Sequence, residues 1–203
     1  MKTALIVANG SVIDKKRCKG LAAEADIIIA ADGGANACLK QGITPTHVIG
    51  DFDSITARAK KKYARQLMCV KDQDTTDLQK ALSLAQRLKV KKLTVIGATG
   101  TRLDHTLANI VFLSRQKIPV HIIDEHNDMH IVQKHIIIEG KRGDLVSIIA
   151  LADVQGLSCR GLRWSIREHR AAFGWVGVSN RMLGSHATIS LKKGSIAVIR
   201  ARD

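Results

Sequence analysis

The chain has 203 residues, 45% of them hydrophobic and 25% charged, with a formal net charge of +14 at pH 7. This composition is typical of a globular protein with a substantial core. The apolar stretch at residues 4–8 is too short for a membrane span or a secretory signal, so we expect no membrane association. The four cysteines form no C-x-x-C pair, which predicts reduced thiols and a cytoplasmic location.

The positive charge by itself is compatible with nucleic acid, with a polyphosphate ligand, or with an ordinary basic surface. The chain has only two Trp, one Tyr and three Phe. It therefore lacks the stacking residues of a protein that binds single-stranded nucleic acid. We favour a phosphate-rich small ligand and expect no nucleic-acid partner.

The first third of the chain alternates apolar runs with turns. Residues 3–8 and 27–30 read as buried strands of a parallel sheet, because their apolar runs do not alternate with polar residues. A weak helix is expected over residues 17–25. After the second strand, Gly33 and Gly34 open a short helix, where backbone N–H groups are free to approach a phosphate. The alternative is an ordinary flexible turn.

The stretch GDFDS at residues 50–54 follows a third apolar run and precedes a helix expected at about residues 56–66. Asp51 and Asp53 are thereby placed together in a strand-to-helix turn. Two such carboxylates repel each other unless a cation lies between them, which favours a Mg²⁺ site. The alternative is that Asp53 or Ser54 only caps the helix.

Two further acidic turns follow. DQDTTD at residues 72–77 precedes an amphipathic helix with apolar residues at i, i+3, i+4 and i+7, so Asp74 or Thr75 is the expected N-cap. Asp77 would lie in the first turn, where it also complements the helix dipole. In GATGTRLDH at residues 97–105, the glycines and Arg102 suit phosphate binding, although Thr101 and Asp104 also resemble a capping box.

The acidic residues are unevenly chosen, since 14 are Asp and only 4 are Glu. Asp prefers turns, caps and metal loops, whereas surface helices normally use Glu. Seven aspartates fall next to predicted strand-to-helix junctions: Asp32, Asp51, Asp53, Asp72, Asp74, Asp77 and Asp104. This distribution indicates a metal site.

After about residue 126 the pattern changes to short apolar runs separated by turns, which predicts a small antiparallel sheet or sandwich. We therefore expect two domains, residues 1–126 and 127–203. Trp164 and the Ser179–Asn180 pair offer an aromatic face and polar groups in the second domain. The alternative for a Trp in a β domain is core packing.

Six motifs, in this order and spacing, resemble those of the thiamine pyrophosphokinase family: ADGGAN (31–36), GDFDS (50–54), DQDTTD (72–77), GATGTRLDH (97–105), GLRW (161–164) and SN (179–180). The resemblance covers nearly the whole chain. It implies an α/β fold, with an N-terminal three-layer, mostly parallel, Rossmann-like nucleotide-binding domain and a C-terminal β-sandwich that binds thiamine. It further implies a homodimer that transfers pyrophosphate from ATP to the thiamine hydroxyl. A related enzyme acting on another small alcohol, such as a pterin, is the alternative.

The resemblance also implies residue roles. Asp51, Asp53, Asp77 and Asp104 are expected to be catalytic, and the first three of these to bind Mg²⁺. The residues expected on the ATP side are Asp32, Gly33, Gly34, Asn36, Thr76, Arg102, His105 and Asn109. Those expected to bind thiamine are Trp164, Ser179 and Asn180. The chain departs from the family at Ala98 and Thr101, where relatives often carry glycine, and at Arg181, where an acidic residue is common.

Overall fold

The computed structural model describes residues 1–100 and 102–202. The chain divides into two compact units, Met1–Glu125 and the residues from His126 onward. The boundary expected from the sequence, between residues 126 and 127, is one residue later. Thr101, which the sequence pattern placed in a capping box, lies outside the described residues.

The first unit contains six strands and five helices. The strands are β1 (Thr3–Val7), β2 (Ile27–Ala31), β3 (His47–Gly50), β4 (Leu67–Cys69), β5 (Lys92–Ile96) and β6 (Val120–Ile123). The helices are α1 (Lys15–Glu24), α2 (Gly34–Gln41), α3 (Ala57–Lys62), α4 (Asp77–Arg87) and α5 (Leu103–Ser114). The strands lie in the order β6-β5-β1-β2-β3-β4, and every neighbouring pair is parallel.

This sheet is covered on both faces, as its unalternating apolar strands predict. Leu5 and Val7 of β1 pack in one core cluster with residues of α1, α2 and α3. Ile6 and Ile29 are fully buried and point to the opposite face, where α4 packs on β2 and β3. The predicted α/β fold with a parallel sheet is confirmed.

Three helix starts differ from the sequence-based expectations. The N-cap of α3 is Thr56, whose side chain accepts a hydrogen bond from the Ala59 N–H, so neither Asp53 nor Ser54 caps it. The N-cap of α4 is Thr76, and neither Asp74 nor Thr75 has this role. At α5 the N-cap position is Arg102, without a side-chain cap. The aspartates in the turns before α3 and α4 therefore do not cap these helices.

The loops that follow the central strands meet at one edge of the sheet, since parallel strands end on the same side. The Gly10 N–H donates to the Gly97 carbonyl at 2.8 Å, which joins the loops after β1 and β5. The Asp32 N–H donates to the Ile49 carbonyl at 2.9 Å, which joins β2 to β3. This edge therefore brings together the loops after β1, β2, β3 and β5, and the last three of these carry sequence motifs.

The second unit is a sandwich of two four-stranded antiparallel sheets. Its strands are β7 (Asn127–Val132), β8 (His135–Glu139), β9 (Leu145–Ala150), β10 (Val154–Arg160), β11 (Ile166–Ala171), β12 (Val176–Arg181), β13 (His186–Ser190) and β14 (Ile196–Ala201). One sheet has the order β12-β9-β14-β7 and the other β11-β10-β13-β8. Val146, Ile148 and Val198 of the first sheet share a core with Leu157, Ile189 and other residues of the second. The predicted β-sandwich is confirmed.

In the described part of the chain, no helix has both the length and the apolar character required to cross a membrane.

Candidate active site

A cavity of about 640 Å³ opens in the first unit where the loops after β1, β3 and β5 face the first turns of α4 and α5. Its size is within the range of small-molecule sites. It lies outside the carboxyl ends of the strands, which is where open α/β sheets bind their ligands. Asp51, Asp53, Asp77, Thr76 and Arg102 line it, together with His105 and Asn109. Most of the residues expected on the catalytic and nucleotide sides therefore share one cavity.

Three carboxylates converge at this edge of the sheet. Asp32, Asp51 and Asp53 each present an oxygen, and these oxygens lie within 4.8 Å of one another. Asp32 is only 1% exposed, and its Oδ2 accepts a hydrogen bond from the Ser54 N–H at 3.0 Å. Its Oδ1 is buried and has no hydrogen-bond partner among the described residues. A buried oxygen of this kind calls for a cation or a donor from a ligand.

The pKa values of Asp32 and Asp51 are shifted in opposite directions. Burial raises the pKa of Asp32; the Ser54 N–H partly offsets this effect, and the charges of Asp77, Asp53 and Asp51 reinforce it. The Gln73 amide donates to Asp51 at 3.0 Å and, together with the Asp53 N–H, lowers the pKa of Asp51. A cation bound among the three would compensate the charge that crowds Asp32.

The backbone around this group is tightly constrained. A Cβ on Gly50 would lie 2.7 Å from the Cβ of Asp32, so only glycine allows β3 to end this close to that carboxylate. Asp32 and Phe52 both adopt positive φ angles, of 40° and 69°. Non-glycine residues rarely occupy this region unless the surrounding structure holds them there, as happens in functional sites.

Most residues of the ADGGAN motif pack in the core or hold neighbouring loops in place by hydrogen bonds. Gly33 and Gly34 are buried against the Asn9 side chain and the Val7 carbonyl, and neither lines the cavity. The Asn36 side chain accepts hydrogen bonds from the N–H and hydroxyl of Thr56, both at 2.8 Å, and donates to the Ser54 carbonyl at 2.9 Å. Asn36 therefore fastens α2 to the loop that carries Asp51 and Asp53.

The start of α4 places one acidic and one basic side chain on the cavity wall. Thr76 and Gln79 form a reciprocal capping box. Asp77 lies in the first turn, and its Oδ1 is 3.1 Å from Nζ of Lys80. Asp77 is not in the group formed by Asp32, Asp51 and Asp53.

Residues from α5 form the opposite rim. Arg102 pairs with Asp104 at 2.5 Å, and both side chains are exposed. The Arg102 guanidinium, helped by the His105 N–H, lowers the pKa of Asp104 to about 2. The Asn109 side chain donates to the Ala98 carbonyl at 2.8 Å, which holds the loop after β5 against the helix. Arg102, Asp104 and His105 are thus exposed, whereas Asn109 braces the motif; of these four, only Asp104 does not line the cavity.

The three residues expected to bind thiamine lie together in the second unit. Asn180 is buried, accepts from the Trp164 N–H at 3.0 Å and donates to the Trp164 carbonyl at 2.7 Å. The Trp164 residue remains 57% exposed, so it is not the core residue that the alternative predicted. Ser179, with a φ of 57°, lies at an irregularity in the pairing of β12 with β9.

Two family models match the chain. "Thiamin pyrophosphokinase, catalytic domain" matches residues 18–123, and "Thiamin pyrophosphokinase, vitamin B1 binding domain" matches residues 134–196. The chain belongs to the thiamin pyrophosphokinase family. The resemblance found in the sequence motifs is confirmed.

Individual relatives of the thiamin pyrophosphokinase family agree with this assignment. A thiamine pyrophosphokinase of Bacillus subtilis (strain 168) is 28% identical over 214 residues, covering 100% of both chains. The crystal structure of thiamine pyrophosphokinase from Bacillus subtilis superimposes with a TM-score of 0.85 at 28% identity, again over 100% of both chains. The thiamin pyrophosphokinase structure from Geobacillus thermodenitrificans, at 23% identity and a TM-score of 0.83, covers 99% of this chain and 98% of that chain and supports the fold alone.

Sequence reasoning missed several residues that line this cavity, and Gln73 and Lys80 are the two with polar contacts to its aspartates. The Gln73 side chain donates a hydrogen bond to Asp51, and nothing in the acidic stretch around Gln73 predicted that contact. Lys80 is 6% exposed. The sequence offered no clear signal for Lys80, because it lies at the border of the apolar face of α4, between Leu84 and the exposed Arg87, where a lysine is usually solvent-facing.

Proposed function

We propose that this chain transfers a pyrophosphoryl group from ATP to the hydroxyl of thiamine, which yields thiamine diphosphate and AMP. The observation that carries this proposal is the group of Asp32, Asp51 and Asp53 at the edge of a cavity of about 640 Å³ in a chain of this family. The nucleotide would occupy residues 1–126, and residues 127–203 would bind thiamine. Both family models support that division of roles by their descriptions.

The donor set fits Mg²⁺. Magnesium prefers carboxylate oxygens and is normally shared between one or two carboxylates and the phosphates of a substrate. Asp51 and Asp53 would hold it with the buried Oδ1 of Asp32, and Asp77 lines the same cavity. When bound, Mg²⁺ would neutralise charge on the phosphates and hold them in position.

In the reaction, the thiamine hydroxyl oxygen bonds to the β-phosphorus of ATP. The bond from that phosphorus to the oxygen bridging the α-phosphorus breaks, and AMP leaves with this oxygen. The hydroxyl proton passes to a carboxylate, for which Asp51, Asp53, Asp77 and Asp104 are the proposed acceptors. Such transfers depend on positioning and charge neutralisation, so no strongly nucleophilic side chain is required.

The remaining side chains would bind and orient the substrates. Arg102 and His105 on the exposed rim would contact ATP phosphates. Asp32, Gly33, Gly34, Asn36, Thr76 and Asn109 would shape the nucleotide side, and the hydrogen bonds of the last three support a bracing role. Trp164 would stack on the cationic thiazolium, which is worth about 0.5–2 kcal/mol. Asn180 would hold that ring in place, and Ser179 would contact the same substrate.

We further infer that the protein is a cytoplasmic homodimer. Four free cysteines support a reducing compartment. Leu103, Leu107 and Val111 recur every four residues along α5 and are 69%, 56% and 45% exposed, which suits burial against a second copy. Light scattering is expected to give twice the mass of one chain.

A direct assay tests the reaction. Purified protein with ATP, Mg²⁺ and thiamine is expected to release AMP and thiamine diphosphate in equal amounts. Asp53→Asn, which keeps the shape and removes the charge, is expected to fold normally and to lose most of its turnover. AMP release with a pterin alcohol but none with thiamine would contradict the assignment of the substrate. Full activity of Asp53→Asn would remove this residue from the site.

A further inference from the structure

Lys80 is a buried cation in the wall of the cavity. Its side chain is 4% exposed, and its Nζ lies 3.1 Å from Oδ1 of Asp77, three residues earlier on α4. Lys80 and Asp77 both line the cavity. The long lysine stem thus brings its ammonium group from the apolar face of the helix to the acidic side of the site.

Stability alone does not explain this arrangement. An ion pair removed from water loses hydration, and apolar replacement of such a pair is often neutral or favourable for folding. One turn further along α4, Leu84 is buried on the same side of the helix as Lys80, so an apolar residue would suit the packing. A lysine at this position is therefore better explained by a ligand that it binds.

The charges around the cavity show what Lys80 is suited to bind. Among the described lining residues are four carboxylates, those of Asp51, Asp53, Asp74 and Asp77, and two side chains of the strongly basic types, Lys80 and Arg102. Arg102 is 69% exposed and paired with Asp104 at the rim. Lys80 is therefore the cation in the wall, at a depth where water screens its charge least.

We propose that Lys80 is a catalytic residue whose ammonium group contacts the β- or γ-phosphate oxygens of bound ATP. The inference deepens the proposed function and rests on it. Asp77 holds Nζ in place before ATP binds, and the ammonium group stabilises the negative charge on the pyrophosphoryl group during its transfer.

The test compares the binding of ATP with that of AMP in the presence of Mg²⁺, by calorimetry on the full chain. Lys80→Met is expected to weaken ATP by about tenfold or more, the usual loss for a hydrogen bond to a charged group, and to leave AMP binding unchanged. AMP lacks the β- and γ-phosphates, so it does not report the contact. A merely structural role would weaken both nucleotides equally, and that result would overturn the proposal.

Controls separate the contact from folding and from overall charge. Arg87→Met removes a positive charge from the last turn of the same helix, at an exposed position, and is expected to bind both nucleotides like the unmodified protein. Lys80→Arg restores a cation and is expected to recover part of the ATP affinity. If Lys80→Met does not fold, Lys80→Gln provides the same comparison.

Turnover distinguishes this inference from the proposed function itself. If the unmodified chain makes thiamine diphosphate while Lys80→Met binds ATP normally and retains its kcat, only the role of Lys80 is wrong. If the unmodified chain makes no thiamine diphosphate, the proposed function fails, whatever Lys80 does. A selective loss of ATP affinity would in that case still establish the phosphate contact.

Discussion

At the scale of single residues, Asp32 is the most constrained side chain of the site. It is buried, has a positive φ, and carries one carboxylate oxygen without a hydrogen-bond partner among the described residues. Nearby Asp51 and Asp53 add like charge. The protein without metal is therefore expected to be strained at Asp32, and a bound cation to relieve that strain.

Asp32→Asn separates these two effects. In the presence of a chelator it is expected to raise the unfolding temperature, since two like charges about 5 Å apart repel by roughly 1 kcal/mol, equivalent to about 3 °C for a chain of this size. With Mg²⁺ the unmodified protein is expected to have the higher unfolding temperature, because only it gains stability from the ion. Thermal unfolding with chelator and with Mg²⁺ measures both.

Glu125→Gln, which removes one exposed charge, is the matched control and is expected to respond to Mg²⁺ like the unmodified protein. An Asp32→Asn variant that is destabilised equally in both conditions would show that Asp32 is needed for folding and does not bind the ion.

The sequence located Asp51 and Asp53 because both follow an apolar strand and precede a helix. It also placed Asp32 among the aspartates that indicate a metal site, but assigned it to the ATP side and did not group it with Asp51 and Asp53 as a metal ligand. That grouping depends on the parallel pairing of β2 with β3 and on the close approach of Gly50 to Asp32. Pairing of strands distant in sequence is a property of the folded sheet, and no local pattern contains it.

At the scale of secondary structure elements, the position of Asp77 and Lys80 depends on where α4 begins. Thr76 accepts a hydrogen bond from the Gln79 N–H at 3.3 Å, and the Gln79 side chain accepts one from the Thr76 N–H at 2.9 Å. Removing the cap would let the first turn fray, and that turn carries Asp77. The cap is therefore expected to affect both stability and activity.

Thr76→Ala is expected to lower the free energy of unfolding by about 1 kcal/mol, the typical loss for an N-cap hydroxyl, and to reduce turnover. Thr76→Ser keeps the hydroxyl and is expected to restore both. Urea denaturation and the AMP-release assay are the measurements. Thr75→Ala is the matched comparison, because Thr75 donates to Asp72 and does not cap the helix. A larger loss of stability in Thr75→Ala would contradict the assignment of the cap.

The long amphipathic helix and the buried strands were predictable because their apolar spacing is strong. No continuous apolar run predicts β10, β11 or β12, since charged and small residues interrupt them. In β11, for example, Arg167, Glu168 and Arg170 are interspersed with only two apolar residues. β11 and β12 each bury a single residue, so their position is decided by pairing with neighbours and not by their own composition.

At the scale of the whole molecule, the net charge of +14 contrasts with the carboxylates of the cavity. The overall field attracts a polyanion such as ATP at long range, whereas the local carboxylates favour metal ions and cations at short range. Thiamine is itself a cation, so the overall field repels it. The two substrates are therefore expected to respond differently to salt.

Raising the salt concentration from about 10 mM to about 150 mM shortens the screening length from about 30 Å to about 8 Å. The kcat/KM for ATP is then expected to fall several-fold, because steering of the anion is lost. The kcat/KM for thiamine is expected to stay constant or rise, because its repulsion is screened as well. Initial rates at fixed Mg²⁺, with one substrate varied at a time, measure both.

If the kcat/KM for ATP and the kcat/KM for thiamine depend equally on salt, then salt acts on the enzyme as a whole and not on the approach of each substrate. A basic surface used for nucleic acid gives a different result, namely RNA binding that weakens steeply with salt. Single-stranded RNA added at low salt is therefore expected to leave the kcat/KM for ATP unchanged. Strong inhibition by RNA would instead show that the basic surface also binds nucleic acid.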